Sequence, residues 1–141
     1  MKSERGVTIT SVLIYIIALT AVVITIGRIT TYFYKNMTSV TENTVADAEY
    51  TKFNSYFTDE INIEGNTVVD CGTTEDGNNY IIFSETESQY IFMNGNIYRN
   101  KTKISQDIEK CEFKYEESSK VITVNLTILG KDYNNTYTIA K

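Results

Sequence analysis

Carboxylates and thiols are the side chains in this 141-residue chain that catalysis or metal binding would use, and they are scattered. The chain has no histidine, which removes the usual general base and the commonest zinc ligand. Adjacent acidic residues occur at Asp59-Glu60, Glu75-Asp76 and Glu116-Glu117, near predicted ends of elements or turns. Because no serine or threonine has a neighbouring base, we expect neither an enzyme nor a cofactor.

One segment, "TEDGNN" from Thr74 to Asn79, contains oxygen ligands of the kind that calcium prefers. Asp76, Asn78 and a carbonyl would supply them, but the segment lacks the distal glutamate of a complete calcium loop. The same residue types form solvated hairpin turns. The sequence therefore favours a turn over a calcium site.

The two cysteines, Cys71 and Cys111, are 40 positions apart and have no CxxC spacing, so a thiolate metal site is not expected. Alternation places Cys71 on the same face as Val69, and Cys111 on the same face as Phe113. A disulfide between them would close a loop of about 40 residues and stabilise the fold by about 3–4 kcal/mol. The alternative is two buried thiols that act as small hydrophobic groups.

The elements that position these side chains begin with a long N-terminal helix. The uncharged run from Val7 to Gly27 has 21 residues, and a helix of that length crosses the roughly 30 Å of hydrocarbon in a bilayer. It exceeds the apolar centre of about 7–15 residues in a secretory signal. We predict a transmembrane helix over residues 7–27, with a short cytoplasmic N-terminus and an exported C-terminal domain.

Residues 28–63 are predicted to continue this helix in amphipathic form, up to the break at "EGN" (Glu64 to Asn66). Apolar residues recur there mostly three to five positions apart, with charged residues between them. The stripe consists of Ile29, Phe33, Met37, Val40, Val45, Ala48, Phe53, Phe57 and Ile61. Since an exposed stripe of that length would aggregate, we expect the rest of the chain to cover it.

Residues 64–141 contain short runs rich in Ile, Val, Tyr, Phe and Thr, bounded by Gly, Asn and Ser, which predicts strands. Cys111, Phe113 and Tyr115 alternate with charged residues, so one face of the sheet is dry. Asn94-Gly95 predicts a type I′ hairpin turn. The predicted fold class is α+β: a long helix, membrane-embedded in its first half and amphipathic in its second, packed on an antiparallel β-sheet.

The net charge of the exported part limits which classes of partner it can bind. Residues 28–141 contain 11 basic and 17 acidic side chains, a net charge of −6. Binding to nucleic acid or to an anionic membrane surface needs a basic face. The net charge therefore argues against both kinds of partner.

The leader "MKSERG" followed by "VTITSVLIYIIALTAVV" resembles a type IV prepilin signal. This pilin-like family includes type IV pilins, pseudopilins of type II secretion and subunits of competence pili. The resemblance implies that residues 1–6 are a leader, and that a prepilin peptidase cuts between Gly6 and Val7 and methylates the new N-terminus. It also implies other pilin or pseudopilin subunits as partners, and a location in the bacterial cell membrane before assembly into a surface fibre.

Two positions depart from the family's usual pattern. Val7 stands where the family usually has Phe, and Ser11 stands where it usually has a Glu that is thought to pair with a neighbouring subunit's N-terminal amine. Because a missing Glu is associated with minor subunits, the resemblance implies a minor pilin or pseudopilin. The alternative function is a membrane-tethered binding domain that never polymerises and keeps its leader.

Hydroxyl side chains in the apolar run have two interpretations. They would hydrogen-bond across packed helices in an assembly, or bond carbonyls of their own helix four residues back. The residues concerned are Thr8, Thr10, Ser11, Thr20 and Thr25.

Overall fold

The computed structural model describes residues 3–139, with side chains from Thr8 onward, and divides into two compact units, Met1–Thr41 and Glu42–Lys141. One helix, α1 (Ser3–Ile61), begins in the first unit and continues into the second. The chain has no proline to interrupt it. The helix ends in a turn at Asn62 to Gly65, where Gly65 has a φ of 81° that suits glycine.

In residues 3–139, which the structure describes, eight antiparallel strands follow the helix and form two sheets. The first sheet has five strands in chain order: β1 (Val68–Thr73), β2 (Asn79–Phe83), β3 (Gln89–Met93), β4 (Asn96–Arg99) and β5 (Thr102–Ser105). The second sheet has three: β6 (Ile108–Glu116), β7 (Val121–Ile128) and β8 (Lys131–Thr138). The prediction of antiparallel strands is confirmed, but the prediction of a single sheet is wrong.

Alternation along the strands creates the dry face that the sequence predicts. On β7 the buried residues are Ile122, Val124, Leu126 and Ile128, and the residues between them are partly exposed. The hairpin between β3 and β4 has positive φ at both central residues, 52° at Asn94 and 73° at Gly95, as a type I′ turn requires. These two predictions are confirmed.

The core of the second unit is centred on Phe57, a fully buried side chain of α1. Its ring lies 5.8 Å from Phe83 and 5.2 Å from Tyr90 in the five-stranded sheet. It also lies 6.0 Å from Phe113 and 5.1 Å from Tyr137 in the three-stranded sheet. One aromatic side chain of the helix therefore contacts both sheets, and such ring pairs add stabilisation beyond their buried area.

Coverage of the helix stripe differs from the prediction. The face of α1 that packs on the sheets begins at Ala46, whereas Val45 and Ala48 are exposed. From there the packed positions follow helical spacing and consist of Ala46, Glu49, Tyr50, Phe53, Phe57, Glu60 and Ile61. The strands thus cover the last third of the helix and leave the earlier part of the stripe, Ile29 to Val40, exposed.

Candidate membrane and assembly surface

The apolar part of α1 forms an extensive exposed surface. The exposed large hydrophobic side chains between Ile9 and Val40 each have at least 50% of their surface accessible to solvent, and Tyr15 has 74%. The helix is long and apolar enough to cross a membrane, and none of its most apolar window is buried by the rest of the chain. Monomeric soluble proteins rarely expose apolar surface on this scale.

Hydroxyl groups within this surface bond their own helix. Thr20 donates to the carbonyl of Ile16 and Thr25 to that of Ala21, both at 2.8 Å. The second interpretation of the polar residues is therefore confirmed at these two threonines. Thr8, Thr10 and Ser11 lie on the same helix, with Thr8 and Thr10 exposed and Ser11 half-buried.

The predicted processing site lies at the start of α1. Gly6 and Val7 are within the helical backbone, but their burial and contacts lie outside what the structure describes, as does the whole of Met1 and Lys2. The cleavage and methylation site therefore stays a prediction from the sequence.

Both cysteines are free thiols, Cys71 half-buried on β1 and Cys111 buried on β6. Burial and the Asp70 carboxylate raise the pKa of Cys71, while a backbone hydrogen bond at Tyr115 acts in the opposite direction. The Cys71 thiol therefore lies beside the Tyr115 backbone. On the extended strand β6, the Cα atoms of Cys111 and Tyr115 are four residues apart, a distance of about 13 Å. The Cα atoms of two disulfide-bonded cysteines lie within about 7 Å of each other. The structure has no bond between the two sulfurs, and the choice between the two alternatives stays a prediction from the sequence.

The other candidate residues form local or structural contacts. "TEDGNN" is the hairpin turn between β1 and β2, where the Thr74 and Gly77 amides donate to the carbonyls of Asn78 and Thr74 at 2.8 and 2.9 Å. Glu75 and Asp76 are part of this turn. Glu116 ends β6 and accepts a hydrogen bond from Ser119. These contacts form turns and do not converge on a common site.

Glu60, on the last turn of α1, is a buried carboxylate whose burial was not predicted from the sequence. Its side chain has 0% exposure and accepts hydrogen bonds from Asn66 at 3.1 Å, from Tyr90 at 3.3 Å and from Thr86. Arg99 on β4 pairs with it at 2.7 Å. Burial alone would raise the pKa of Glu60, but the hydrogen bonds from Thr86 and Arg99 prevail and hold it below its ordinary value of 4.5. The site fastens the end of the helix to the five-stranded sheet.

Two further polar contacts fix the helix to the strands. Glu49 accepts a hydrogen bond from the Gln106 amide at 3.0 Å, just after β5. Asp47 accepts hydrogen bonds from Lys131 and Tyr133 of β8, both at 2.6 Å. The Tyr133 ring also stacks on Tyr50 at 4.3 Å. The final third of α1 is therefore held by both sheets, whereas the apolar side chains before it are exposed.

Comparison with protein family models, with curated proteins and with solved structures gave no match.

Proposed function

We propose that the chain is a minor pilin or pseudopilin, a structural subunit that assembles through its N-terminal helix into a type IV pilus-like extracytoplasmic fibre. The observation that carries this proposal is the division of α1. Its last third packs on two antiparallel sheets, whereas its apolar side chains from Ile9 to Val40 are exposed. In water, so long an uncovered apolar helix would make a monomer aggregate. The membrane would cover this helix before assembly, and neighbouring helices of the fibre would cover it afterwards.

The sequence at the start of the helix supports the same function. Gly6 ends a short leader that contains Lys2 and Arg5, and an uncharged run follows it directly. A prepilin peptidase on the cytoplasmic side would cut after Gly6 and methylate Val7. The partners of the processed chain are other pilin or pseudopilin subunits in a bacterial cell membrane and then in a surface fibre.

Ser11 supports a minor position in the fibre. A carboxylate at this position would be costly in hydrocarbon unless it met a neighbouring amine, and serine has no charge to pair. The alternative, a membrane-tethered domain that does not polymerise, shares the apolar helix but predicts an intact leader.

The test is a comparison of cells with and without a prepilin peptidase, each expressing the full chain. We expect the membrane-bound protein to lose residues 1–6 only where the peptidase is present, and to enter the sheared surface-fibre fraction only there. A chain that keeps its leader in both strains, and remains in the membrane fraction, would support the tethered domain and contradict the proposal.

A further inference from the structure

Charge is divided unevenly along this chain. Residues 1–41 contain four basic side chains and one acidic one, whereas residues 42–141 contain nine basic and 17 acidic side chains. The chain therefore has a basic N-terminal segment although its net charge is negative. The net charge argues against binding to an anionic membrane surface, but it does not describe this segment. On the C-terminal side of the apolar run its two cations are Arg28 and Lys35.

Arg28 and Lys35 lie on one face of α1, because seven residues make almost two helical turns. A Cβ placed on Gly27 would meet no atom within 4 Å apart from its chain neighbours and the backbone of its own helical turns, so the helix surface is open at this position. The result is a shallow, open groove on this face of the helix, and its lining residues are Ile24, Gly27, Arg28, Thr31, Tyr32 and Lys35. One end of the groove is apolar and the other is basic.

Neither cation has a carboxylate within reach on the helix. Intrahelical ion pairs join residues three or four positions apart, and the nearest acidic residues in sequence are Glu4 and Glu42, at least seven positions from either cation. In the described part of the chain, ion pairs involve Lys52, Arg99, Lys114 and Lys131 instead. The groove thus offers two positive charges whose counterion must come from another molecule.

Aromatic residues indicate the level of this segment relative to the membrane. Tyr32, Phe33 and Tyr34 are 62–69% exposed, and aromatic side chains concentrate at the boundary between membrane and water. Arg28 directly follows the 21-residue apolar run. With that run in the hydrocarbon, the segment from Arg28 to Lys35 lies at the level of the lipid headgroups.

We propose that the Arg28–Lys35 groove binds the phosphate of an anionic phospholipid headgroup, with an acyl chain lying towards Ile24. The Arg28 guanidinium donates hydrogen bonds to phosphate oxygens, and Lys35 supplies a second positive charge. This inference rests on the membrane insertion in the proposed function. It adds a specific lipid as a partner of the chain before assembly.

The test uses the full chain purified in mild detergent with equal amounts of phosphatidylglycerol and phosphatidylcholine, and native mass spectrometry to count the lipids retained. We expect the wild type to retain phosphatidylglycerol preferentially. Loss of one cation in Arg28→Gln or Lys35→Gln should weaken that retention about fivefold, and loss of both about 25-fold. The matched control is Lys101→Gln/Lys110→Gln, which removes the same charge from exposed positions in the second unit and should leave retention unchanged.

Three results would overturn the headgroup site: equal retention of both lipids by the wild type, unchanged retention by the double variant, or displacement of the lipid by an equal concentration of inorganic phosphate.

Extraction of membranes with alkaline carbonate separates this failure from that of the proposed function. If the wild type and the Arg28→Gln/Lys35→Gln variant both stay in the membrane pellet without lipid preference, only the headgroup site is wrong. If carbonate releases the wild type, membrane insertion itself is wrong.

Discussion

Arg99 on β4 and Glu60 on the last turn of α1 form an ion pair with Nη2 2.7 Å and Nε 3.1 Å from the same carboxylate oxygen. The pair is asymmetric, because the Glu60 side chain is completely buried and 34% of the Arg99 side chain is exposed. A buried charge without a partner is costly, whereas a partly exposed one regains water. The cost of breaking the pair therefore depends on which side chain is removed.

We expect Arg99→Met to destabilise the protein more than Glu60→Gln. Arg99→Met leaves a carboxylate buried without its cation and should lower the free energy of unfolding by about 3 kcal/mol or more. Glu60→Gln keeps some hydrogen bonds and leaves Arg99 free to meet water, so its cost should be about 1–2 kcal/mol. Urea unfolding of the full chain in mild detergent, followed by near-ultraviolet circular dichroism, measures both. A larger loss in Glu60→Gln would contradict the assigned burial.

The free energy of unfolding should decrease at acidic pH because buried carboxylates of the helix become protonated. The folded pKa of Glu60 lies below its ordinary value of 4.5, and so does that of Glu49, because in each case hydrogen bonds outweigh burial. Their contribution is therefore complete above about pH 4.5 and is lost as the pH falls through the lowered folded pKa. We expect urea midpoints that are level near neutral pH and fall below pH 4.5, with a shallower fall in Glu60→Gln. An equally steep fall in that variant would show that Glu60 does not carry the dependence.

Phe57 should be the most sensitive apolar position of the helix. Its fully buried ring contacts aromatic rings of both sheets, so Phe57→Ala leaves a cavity between them and should cost about 3–5 kcal/mol. Ser55→Ala, at an exposed position on the same helix, serves as the control and should change stability by less than about 0.5 kcal/mol. Equal effects of the two substitutions on the urea midpoint would place Phe57 outside the core.

Periodicity in the sequence was sufficient to predict the helix, most strands and the Asn94-Gly95 turn, because each depends on residues close together in the chain. β5 was missed because its sequence, "TKIS", has a single apolar residue and no alternation. The division into two sheets was missed because short strand runs do not specify which edges pair. The stripe was predicted to include Val45 and Ala48, but the sheets contact Ala46, since spacings of three and four fit more than one helix face.

The polar contacts between the helix and the strands could not be predicted from the sequence, for a similar reason. Glu60 meets Arg99, 39 positions away, and Asp47 meets Lys131, 84 positions away. No local pattern links these residues. One signal was present: Glu60 shares a helix face with Phe53 and Phe57, and a carboxylate on an apolar face requires a partner.

Ser11→Glu tests the minor position in the fibre. It places an ionisable group close to the start of the processed helix, at a cost of a few kcal/mol if the group is charged and unpaired in the membrane. Minor subunits of the family include ones near a fibre tip, and a subunit that caps or initiates a fibre has no neighbouring amine to receive. If this chain takes such a position, we expect normal expression and no gain in fibre yield in cells with this variant as the only copy. A clear increase in fibre yield would place the protein among ordinary fibre-body subunits.

The N-terminal residue of the membrane-bound protein tests the proposed function most directly. It should be determined by peptide mass spectrometry for the wild type, for Gly6→Leu and for Ala18→Leu in cells that possess a prepilin peptidase. Ala18→Leu adds a bulky apolar side chain to the same exposed run and serves as the matched control. We predict a methylated Val7 at the N-terminus of the wild type and of Ala18→Leu, and an intact Met1 in Gly6→Leu, which still inserts because its apolar run is unchanged. A wild type that retains Met1, or a Gly6→Leu variant cut before Val7, would contradict the assignment.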